Sequence, residues 1–219
     1  MITIDCISDL HGYKPPLLGG DLLIVAGDLT ARDTEPEYQQ FIHWLNNQQY
    51  RKKIVIAGNH DGELQQNPGL LKFADCDYLC DSGTEFEGYK IWGSPWTPEF
   101  YNWHFMKKRG AELKEVWDKI PIDTDILVTH GPPYGILDKV EISSRGDKFK
   151  LAGCEELRIA VERVKPKFHI FGHIHENGGQ SLTLKHPGFG DENNTIMINA
   201  SLMNEDYHPI FKPHRVYTG

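Results

Sequence analysis

The sequence contains few cysteines and no long apolar run. No apolar stretch approaches the ~18 residues that a membrane-spanning helix needs, and the first residues lack the basic and then apolar pattern of a secretion signal. The four cysteines form no CxxC pair, so we expect reduced thiols rather than a disulfide framework. Together these absences predict a cytoplasmic protein without a membrane partner.

The chain also lacks an excess of basic residues and any low-complexity linker. Its 23 Lys and Arg residues are outnumbered by 31 Asp and Glu residues, which gives a formal net charge of −8 and argues against electrostatic binding to nucleic acid or anionic membranes. The 219 residues are enough to bury a full hydrophobic core. Since no Gly/Ser-rich linker or internal repeat divides them, we predict a single domain over residues 1–219.

Five short apolar runs are present, and each ends in residues that can bind metal or transfer protons. The runs, in order, are residues 2–7, 22–26, 54–57, 126–129 and 168–171. The polar side chains that follow them are Asp9 and His11, Asp28, Asn59 with His60 and Asp61, His130, and His173 with His175. Short apolar runs rich in β-branched residues are typical of parallel strands that are covered on both faces. Because ligands collect beyond the carboxyl ends of such strands, the pattern predicts one polar site at one edge of a sheet.

The rest of the sequence alternates predicted helices and strands. The predicted helices are residues 34–49, with Thr34 as a cap, 70–74, 109–119 and 154–164. The predicted strands are residues 78–79, 84–86, 89–92, 181–184 and 195–199, followed by a proline-containing tail. Residues 139–150 are predicted to form a solvated loop that overhangs the cleft. Two strand–helix–strand series, one from each half, favour an α/β fold in which two sheets pack face to face with helices outside.

The side chains beyond the apolar runs are of the types that bind transition metals. Asp, Asn and His together suit such ions better than calcium, and no cysteine lies among them to form a structural zinc site. The seven candidate ligands are Asp9, His11, Asp28, Asn59, His130, His173 and His175. Seven is too many for one catalytic ion with an open position, but it suits two ions that share a carboxylate. Paired metals serve phosphatases, nucleases and related hydrolases.

The order and spacing of these motifs resemble those of a known family. The chain is similar to the calcineurin-like metallophosphoesterases in carrying, in order, Asp9-x-His11, Gly27-Asp28, Gly58-Asn59-His60-Asp61, His130-Gly131 and Gly172-His173-x-His175. Residues 92–98, 129–133, 171–176 and 198–201 are further similar to the brain-type metallophosphoesterase-domain-containing proteins and their bacterial relatives. The similarity extends from Ile4 to about Phe211 and covers nearly the whole chain.

This resemblance implies a four-layer αββα sandwich, the metallo-dependent phosphatase fold, with two divalent metal ions. It implies that the first ion is held by Asp9, His11, Asp28 and His175. It implies that the second ion is held by Asp28, Asn59, His130 and His173, with Asp28 as the bridge. Manganese is the expected metal, while iron, zinc and nickel are also chemically admissible. A hydroxide that bridges both ions would attack phosphorus, since metal binding lowers the pKa of water to ~7 in the best zinc cases.

Two residues next to the ligand Asn59 are candidate catalytic residues. His60 is expected to face the same cleft without coordinating, to contact a phosphoryl oxygen together with Asn59, and to protonate the leaving alkoxide. Asp61 is expected either to orient His60 or to cap the next helix.

Loop residues near the metal motifs are candidates for substrate contacts. We predict that Trp96, Tyr134 and Asn177 line the pocket beside Asn59 and His60, because they lie on loops near those motifs. Most other aromatic residues between positions 92 and 105 are expected to pack in the core.

The predicted function is metal-dependent phosphoester hydrolysis, with a phosphodiesterase on small nucleotide-like or aryl diesters as the favoured form. A phosphomonoesterase or a protein phosphatase is the alternative within enzymes. A nuclease is less favoured because the sequence lacks a basic aromatic groove. A non-catalytic scaffold or binding module on the same fold would be expected to have lost ligands, and none of the seven is missing. The expected partner is a small phosphoester, and the sequence does not indicate an oligomeric state.

Overall fold

Two β-sheets stacked face to face lie at the centre of the structure, a computed structural model that describes residues 1–142, 148–186 and 194–218. Its strands are Thr3–Ile7 (β1), Gly20–Ala26 (β2), Tyr50–Ile56 (β3), Asp77–Tyr78 (β4), Ser82–Phe86 (β5), Tyr89–Ser94 (β6), Thr97–Pro98 (β7), Met106–Lys107 (β8), Ile126–Thr129 (β9), Lys139–Glu141 (β10), Phe149–Leu151 (β11), Phe168–Phe171 (β12), Ser181–Leu184 (β13), Thr195–Asn199 (β14) and His214–Tyr217 (β15). Its α-helices are Glu35–Asn46 (α1), Gly62–Gln66 (α2), Ala111–Trp117 (α3) and Glu155–Val164 (α4), and two 3-10 helices cover Pro68–Leu71 and His175–Asn177.

The first sheet has the strand order β15-β1-β2-β3-β4, and the second has the order β13-β14-β12-β9-β6-β5. In the first sheet β1 to β4 run parallel and β15 is antiparallel to β1. In the second sheet β6, β9, β12 and β14 run parallel, with the antiparallel strands β5 and β13 at the edges. All five predicted apolar runs are therefore parallel strands, two of them in the second sheet.

Both faces of each sheet are covered, which explains the continuous apolar runs. In β2, Ile24 points toward the second sheet, whereas its neighbours Leu23 and Val25 pack against α1 and the segments around it. On the far side of the second sheet, Leu127 packs with residues of α3 and α4. Since each fully buried aliphatic side chain contributes about 1.5–3 kcal/mol, alternation with polar residues would be costly here. The predicted αββα sandwich is confirmed.

Several predicted boundaries change in the structure. Helix α1 begins after Thr34, whose N–H donates to the Glu37 carboxylate at 3.3 Å, but it ends at Asn46 rather than at residue 49. The side chains of Asn47 and Gln48 donate to carbonyls of the last turn and so replace further helical bonds. Residues 70–74 were expected to be helical, but the 3-10 helix Pro68–Leu71 occupies this region instead.

Two segments that were predicted to be irregular contain strands. The tail contains β15, and Arg215 on that strand donates two hydrogen bonds of 2.7 Å to the buried Asp5 carboxylate on β1. The predicted loop over residues 139–150 contains the antiparallel pair β10 and β11, while its residues 143–147 lie outside the described residues. None of the helices in the described part of the chain is long and apolar enough to span a membrane.

Candidate metal centre

The loops that follow five parallel strands meet at one end of the stacked sheets. Backbone hydrogen bonds join the loops, from the Asp9 N–H to Gly27, from the His11 N–H to Asp28, and from Gly172 to His130. Asp9, His11, Asp28 and His173 have positive φ angles of 54°, 42°, 52° and 70°. Positive φ is uncommon for residues other than glycine and clusters at functional sites. The backbone is therefore held in strained conformations where the predicted ligands lie.

Asp28 lies at the middle of the cluster. Its Oδ2 atom is 3.6 Å from His11 Nε2 and 3.4 Å from His130 Nε2, while its Oδ1 atom accepts the His60 backbone N–H at 2.8 Å. Asn59 Oδ1 lies 3.0 Å from the same His130 Nε2 atom. Asp28 thus contacts side chains from both groups of predicted ligands, as a bridging carboxylate would.

Asp9, His11 and His175 form the other side of the cluster. His175 Nε2 is 3.3 Å from Asp9 Oδ1 and 3.4 Å from His11 Nε2. At this distance the two ring nitrogens can bind one cation between them when neither carries a proton. The Nδ1 atom of His11 is buried and has no hydrogen-bond partner among the described residues, which suits a side chain that binds through its ring nitrogens.

Three overlapping sets of side chains bring their donor atoms within 4.8 Å of one another, namely Asp9 with His11 and His175, His11 with Asp28 and His60, and Asp9 with Asp28 and His130. The sets share members, so they surround adjacent positions rather than one isolated point. Carboxylate and imidazole donors in this combination suit divalent transition metals. The residues present therefore fit the two metal ions that the sequence predicts.

Backbone carbonyls fix the tautomers of two histidines. His130 Nδ1 lies 2.9 Å from the Ala26 carbonyl oxygen, and His175 Nδ1 lies 3.0 Å from the Asn204 carbonyl oxygen. A carbonyl oxygen only accepts, so each Nδ1 must donate its proton, which leaves Nε2 as the ligand atom. Sequence reasoning did not select Asn204, because a backbone carbonyl leaves no signal in the identity of its residue.

Burial and mutual charge set the protonation of the cluster. Burial alone would raise the pKa of Asp9 and of Asp28. The neighbouring histidines lower both pKa values by a larger amount, so each ends below its usual range. Burial lowers the pKa of His130, yet Asp28 raises it to about 9. Burial lowers the pKa of His11 to about 4 and that of His173 to about 3. The negative charge that holds a proton on His130 would also favour a divalent cation, while His11 and His173 are already in the neutral form that binds metal.

His173 lies at the side of the cluster. Its backbone N–H donates to both Asp9 oxygens at 3.0 and 3.1 Å, and its ring packs between Phe100 and His130 with centroid distances of 5.0 Å to each. These contacts place it beside the predicted second-metal ligand His130. Its coordination of that ion stays a prediction.

His60 faces the cavity above the cluster. Its ring meets the His11 ring edge-on at 4.6 Å and lies 4.3 Å from the Trp103 ring. One of its nitrogens lies close enough to His11 and Asp28 to serve as a metal ligand. The structure thus places His60 beside the ligand cluster and in the wall of the cavity, while its predicted catalytic role and its predicted lack of coordination both stay predictions.

The contacts of Asp61 differ from both predicted roles. Its buried carboxylate accepts the backbone N–H groups of Leu29, Thr30 and Gly58 at 2.8–3.1 Å and the Thr30 hydroxyl at 3.2 Å. Asp61 stands at the N-cap position of α2, but its side chain makes no capping hydrogen bond there. The described partners of the carboxylate lie on loops rather than on the His60 ring. Four donors occupy the carboxylate, so its role is to join the loop after β2 to the loop after β3.

A cavity of about 730 Å³ opens above the cluster and includes Asp28, Asn59, His60, His173 and His175 in its wall. Three predicted substrate contacts face elsewhere, and none of them is among the described residues that line this cavity. Trp96 donates to Asp81 at 3.2 Å and packs on Phe105. Asn177 donates to the Lys139 carbonyl at 2.8 Å, and Tyr134 is 40% exposed.

Aromatic residues that were expected in the core line the cavity instead. Tyr101 is 94% exposed and Trp103 is 42% exposed, and both lie on the loop between β7 and β8. Tyr207, which is 53% exposed and lies between β14 and β15, also lines the cavity. Composition alone does not separate such residues from core aromatics, because the loop contains buried aromatics such as Phe105 as well.

Comparisons with known proteins agree on the kind of protein. A family model described as calcineurin-like phosphoesterase matches residues 2–177. The human and mouse proteins called metallophosphoesterase domain-containing protein 1 are each 37% identical over 236 residues, which cover 95% of this chain and 68% of theirs. A UPF0046 protein of Caenorhabditis elegans is 36% identical over 232 residues, which cover 95% of this chain and 78% of that protein.

Two solved structures share the fold at low sequence identity. The protein TT1561 of Thermus thermophilus is 15% identical, with a TM-score of 0.59 over 92% of this chain and 91% of that chain. The NAD nucleotidase of Haemophilus influenzae is 13% identical, with a TM-score of 0.52 over 90% of this chain and 44% of that chain.

Proposed function

The chain belongs to the calcineurin-like phosphoesterase family, and from this premise we propose that it is a phosphodiesterase for small nucleotide-like or aryl phosphodiesters that uses two divalent metal ions. We propose manganese as the metal. We also propose that the protein acts in the cytoplasm. The observation that carries the proposal is the meeting of two buried carboxylates and several imidazoles from separate loops, next to one open cavity that Asp28, His173 and His175 line.

Asp9, Asp28, His11 and His173 are already in the form that binds a cation, whereas His130, whose pKa is raised to about 9, would release its proton when a cation binds. Asp9 and Asp28 are ionised because the neighbouring histidines lower the pKa of both. The carbonyls of Ala26 and Asn204 keep the Nε2 atoms of His130 and His175 directed at the carboxylates. Divalent cations at this position would activate a water molecule near neutral pH and offset the charge of a phosphoryl group. The protein contributes the fixed geometry, so little reorganisation is needed when substrate binds.

The extent of the cavity supports a diester as the substrate. From the ligand cluster the cavity continues along the loop between β7 and β8, where Tyr101 and Trp103 lie, and along the hairpin of β10 and β11, where Val140 and Leu151 lie. A phosphoryl group bound at the floor could therefore carry a substituent toward either wall. A monoester would use only one of these two extensions.

His60 is the residue that we propose as the proton donor to the leaving oxygen. Its imidazole faces the cavity next to the cluster, and its backbone is held by Asp28 and by the Thr30 hydroxyl. A positioned acid typically contributes 10²- to 10⁴-fold to the rate. The contribution is largest for a poor leaving group, since a p-nitrophenolate departs without a proton.

A metal-replacement assay tests the proposed function. Protein stripped of metal and then given manganese, iron, zinc or nickel singly is assayed on bis(p-nitrophenyl) phosphate, p-nitrophenyl phosphate and cyclic nucleotides. Restoration by manganese, with faster turnover of diesters than of monoesters, is the expected result. Faster turnover of monoesters would instead indicate a phosphomonoesterase. Inactivity with every metal, in protein that binds two ions, would indicate a scaffold.

The role of His60 needs a separate comparison. The variant His60→Asn should lose about 10²-fold or more on a nucleoside leaving group and much less on p-nitrophenol, with the metal content unchanged. The control is His208→Asn, because His208 is an exposed histidine on a nearby segment. Loss of a metal ion from His60→Asn would indicate that His60 is a metal ligand. An equal loss of activity on both leaving groups would contradict a role in proton transfer.

A further inference from the structure

Large, partly exposed aromatic side chains line the cavity. Trp103 and Tyr207 line it from two separate segments, the loop between β7 and β8 and the segment between β14 and β15. They are 42% and 53% exposed. Exposing rings of this size to water is unfavourable, and exposed apolar groups that cluster beside a cleft commonly mark a binding surface.

Both rings contact the same imidazole. The Trp103 ring lies 4.3 Å from the His60 ring at an angle of 34°, and the Tyr207 ring lies 6.3 Å from it at an angle of 64°. Tyr207 also meets the rings of His11 and His175 at 4.8 and 5.0 Å. The two aromatic side chains therefore flank the position directly above the ligand cluster, where the ester substituent of a bound phosphate would leave the metal site.

The backbone of Tyr207 is fixed by the metal centre itself. Its N–H donates at 2.9 Å to the Asn204 carbonyl, the same carbonyl that lies 3.0 Å from His175 Nδ1. Tyr207 has a φ angle of 59°, which is strained for a bulky residue. A side chain held in a strained conformation and tied to a ligand histidine is better placed for recognition than one that is exposed by chance.

We propose that Trp103 and Tyr207 form a recognition site for a planar aromatic substituent of the substrate, a nucleobase or an aryl ring, which stacks beside them while the phosphoryl group lies at the ligand cluster. This inference rests on the proposed function and names the residues that select the ester group. Stacking accepts any flat π system, so the site selects aromatic over aliphatic substituents and is tolerant among bases.

Charge sets the orientation of such a substrate. Glu176 and Glu205, which are close in sequence to His175 and Tyr207, line the cavity, and the cationic residues Arg109 and Lys150 line it as well. Two carboxylates there disfavour the negatively charged end of a phosphoester, whereas a neutral ring is accepted. Two bound divalent ions would make the floor cationic and attract the phosphoryl group there, which leaves the ring at Trp103 and Tyr207.

Equilibrium binding to the manganese-loaded protein tests this inference without relying on turnover. Calorimetry compares AMP, ribose 5-phosphate and inorganic phosphate, which share the phosphoryl group and differ in the aromatic ring. We expect AMP to bind about tenfold more tightly than ribose 5-phosphate, which is within the range known for one stacked base. In Trp103→Ala and Tyr207→Ala this preference should fall at least about threefold in each, while the affinity for inorganic phosphate stays the same.

Conservative variants and a distant aromatic residue serve as controls. Trp103→Phe and Tyr207→Phe keep a ring and should retain most of the preference. Phe73→Ala removes a 70% exposed ring that is not among the described residues lining the cavity, and it should change nothing. Equal affinity of the wild-type protein for AMP and ribose 5-phosphate would overturn the inference, as would a preference that survives in both alanine variants.

The same preparations are assayed on bis(p-nitrophenyl) phosphate, so that the two proposals can fail separately. Hydrolysis without a preference for AMP would remove the aromatic site and keep the proposed function. If the protein hydrolyses no ester but prefers AMP through both rings, the aromatic recognition site would be supported and the proposed function contradicted.

Discussion

The Asp61 carboxylate accepts the backbone N–H of Leu29 at 3.0 Å and so joins the loop that carries Asp28 to the loop that carries Asn59. It also accepts the Gly58 N–H at 2.8 Å. Burial and the nearby charge of Asp28 raise the pKa of Asp61, so its charge is costly where it lies. The backbone N–H groups that donate to the carboxylate offset the cost of burying its charge. They thereby hold the two loops at the distance at which Asp28 and Asn59 lie in the same cluster.

We predict that Asp61→Asn weakens both the fold and the metal site. An amide presents its NH₂ group to backbone N–H donors, which leaves buried donors without an acceptor and costs about 1–3 kcal/mol. Denaturant unfolding should show this loss in the free energy of unfolding. Metal titration should show weaker binding, because the loops of Asp28 and Asn59 are no longer held together.

The matched control is Asp138→Asn. Asp138 is also buried and also accepts two backbone N–H groups, from Gly135 and Gly153 at 2.9 and 3.0 Å, but it lies outside the ligand cluster. It should lose comparable stability and keep its metal affinity. If Asp61→Asn bound metal as tightly as the wild-type protein does, Asp61 would have no positioning role.

A second prediction concerns the glycine before His173. A Cβ atom on Gly172 would lie 2.2 Å from Asp9 Oδ2 and from Ser8 Oγ, so Gly172→Ala must displace the Asp9 carboxylate. Overpacking of this kind costs about 1–3 kcal/mol, and metal affinity should fall together with stability. Gly69→Ala is the control, since its Cβ would first meet a side-chain oxygen of Asn67 at 3.1 Å. Calorimetric metal binding by Gly172→Ala at wild-type affinity would contradict the prediction.

The strands and the ligand cluster were predictable because each depends on a local pattern. Leu22 to Ala26 is continuously apolar since both faces of β2 are covered, and a polar residue just past such a strand can only lie at the sheet edge. Asp28 and His130 follow from this rule although they are far apart in sequence. Their contact at 3.4 Å follows from parallel strands that end on the same side.

The wall of the cavity was not predictable in the same way. Whether Trp96 or Trp103 faces substrate depends on how one loop folds over the site, and both residues lie in equally aromatic sequence. Trp96 is held away by its hydrogen bond to Asp81. Tyr207 lies in a segment without periodicity, and the contact of Asn204 with His175 uses a backbone atom. Roles of this kind depend on tertiary contacts rather than on residue type.

A third prediction concerns thermal stability with metal. Metal that binds only the folded state at a concentration 100 times its Kd adds about 2.7 kcal/mol, which for a chain of this size raises Tm by about 5–10 °C. Asp28→Asn should abolish most of this rise with manganese, because Asp28 contacts His11 and His130 together. Asp21→Asn, on the strand that leads to Asp28 but with a partly exposed side chain, should keep it. A full rise in Asp28→Asn, measured by differential scanning calorimetry, would exclude Asp28 as the bridge.

A fourth prediction concerns acid stability and rests on His169 in β12. This buried side chain lies 2.8 Å from the Thr129 hydroxyl, and burial lowers its pKa to about 3, against about 6.5 when unfolded. Between these values the unfolded chain binds the proton and the folded chain does not. Protonation of His169 therefore favours the unfolded chain as pH falls. Below pH 6.5 the free energy of unfolding should decrease by up to about 1.4 kcal/mol per pH unit.

The variant His169→Gln isolates this effect, because glutamine can keep a bond to Thr129 and does not titrate. Above pH 6.5 the free energies of unfolding of the variant and of the wild-type protein should run parallel with pH. Below pH 6.5 the wild-type protein should lose stability more steeply than the variant does, in metal-free buffer and over the range in which both fold reversibly. Equal slopes from pH 6.5 to pH 5 would mean that His169 takes up a proton inside the folded protein, which its apolar surroundings should prevent.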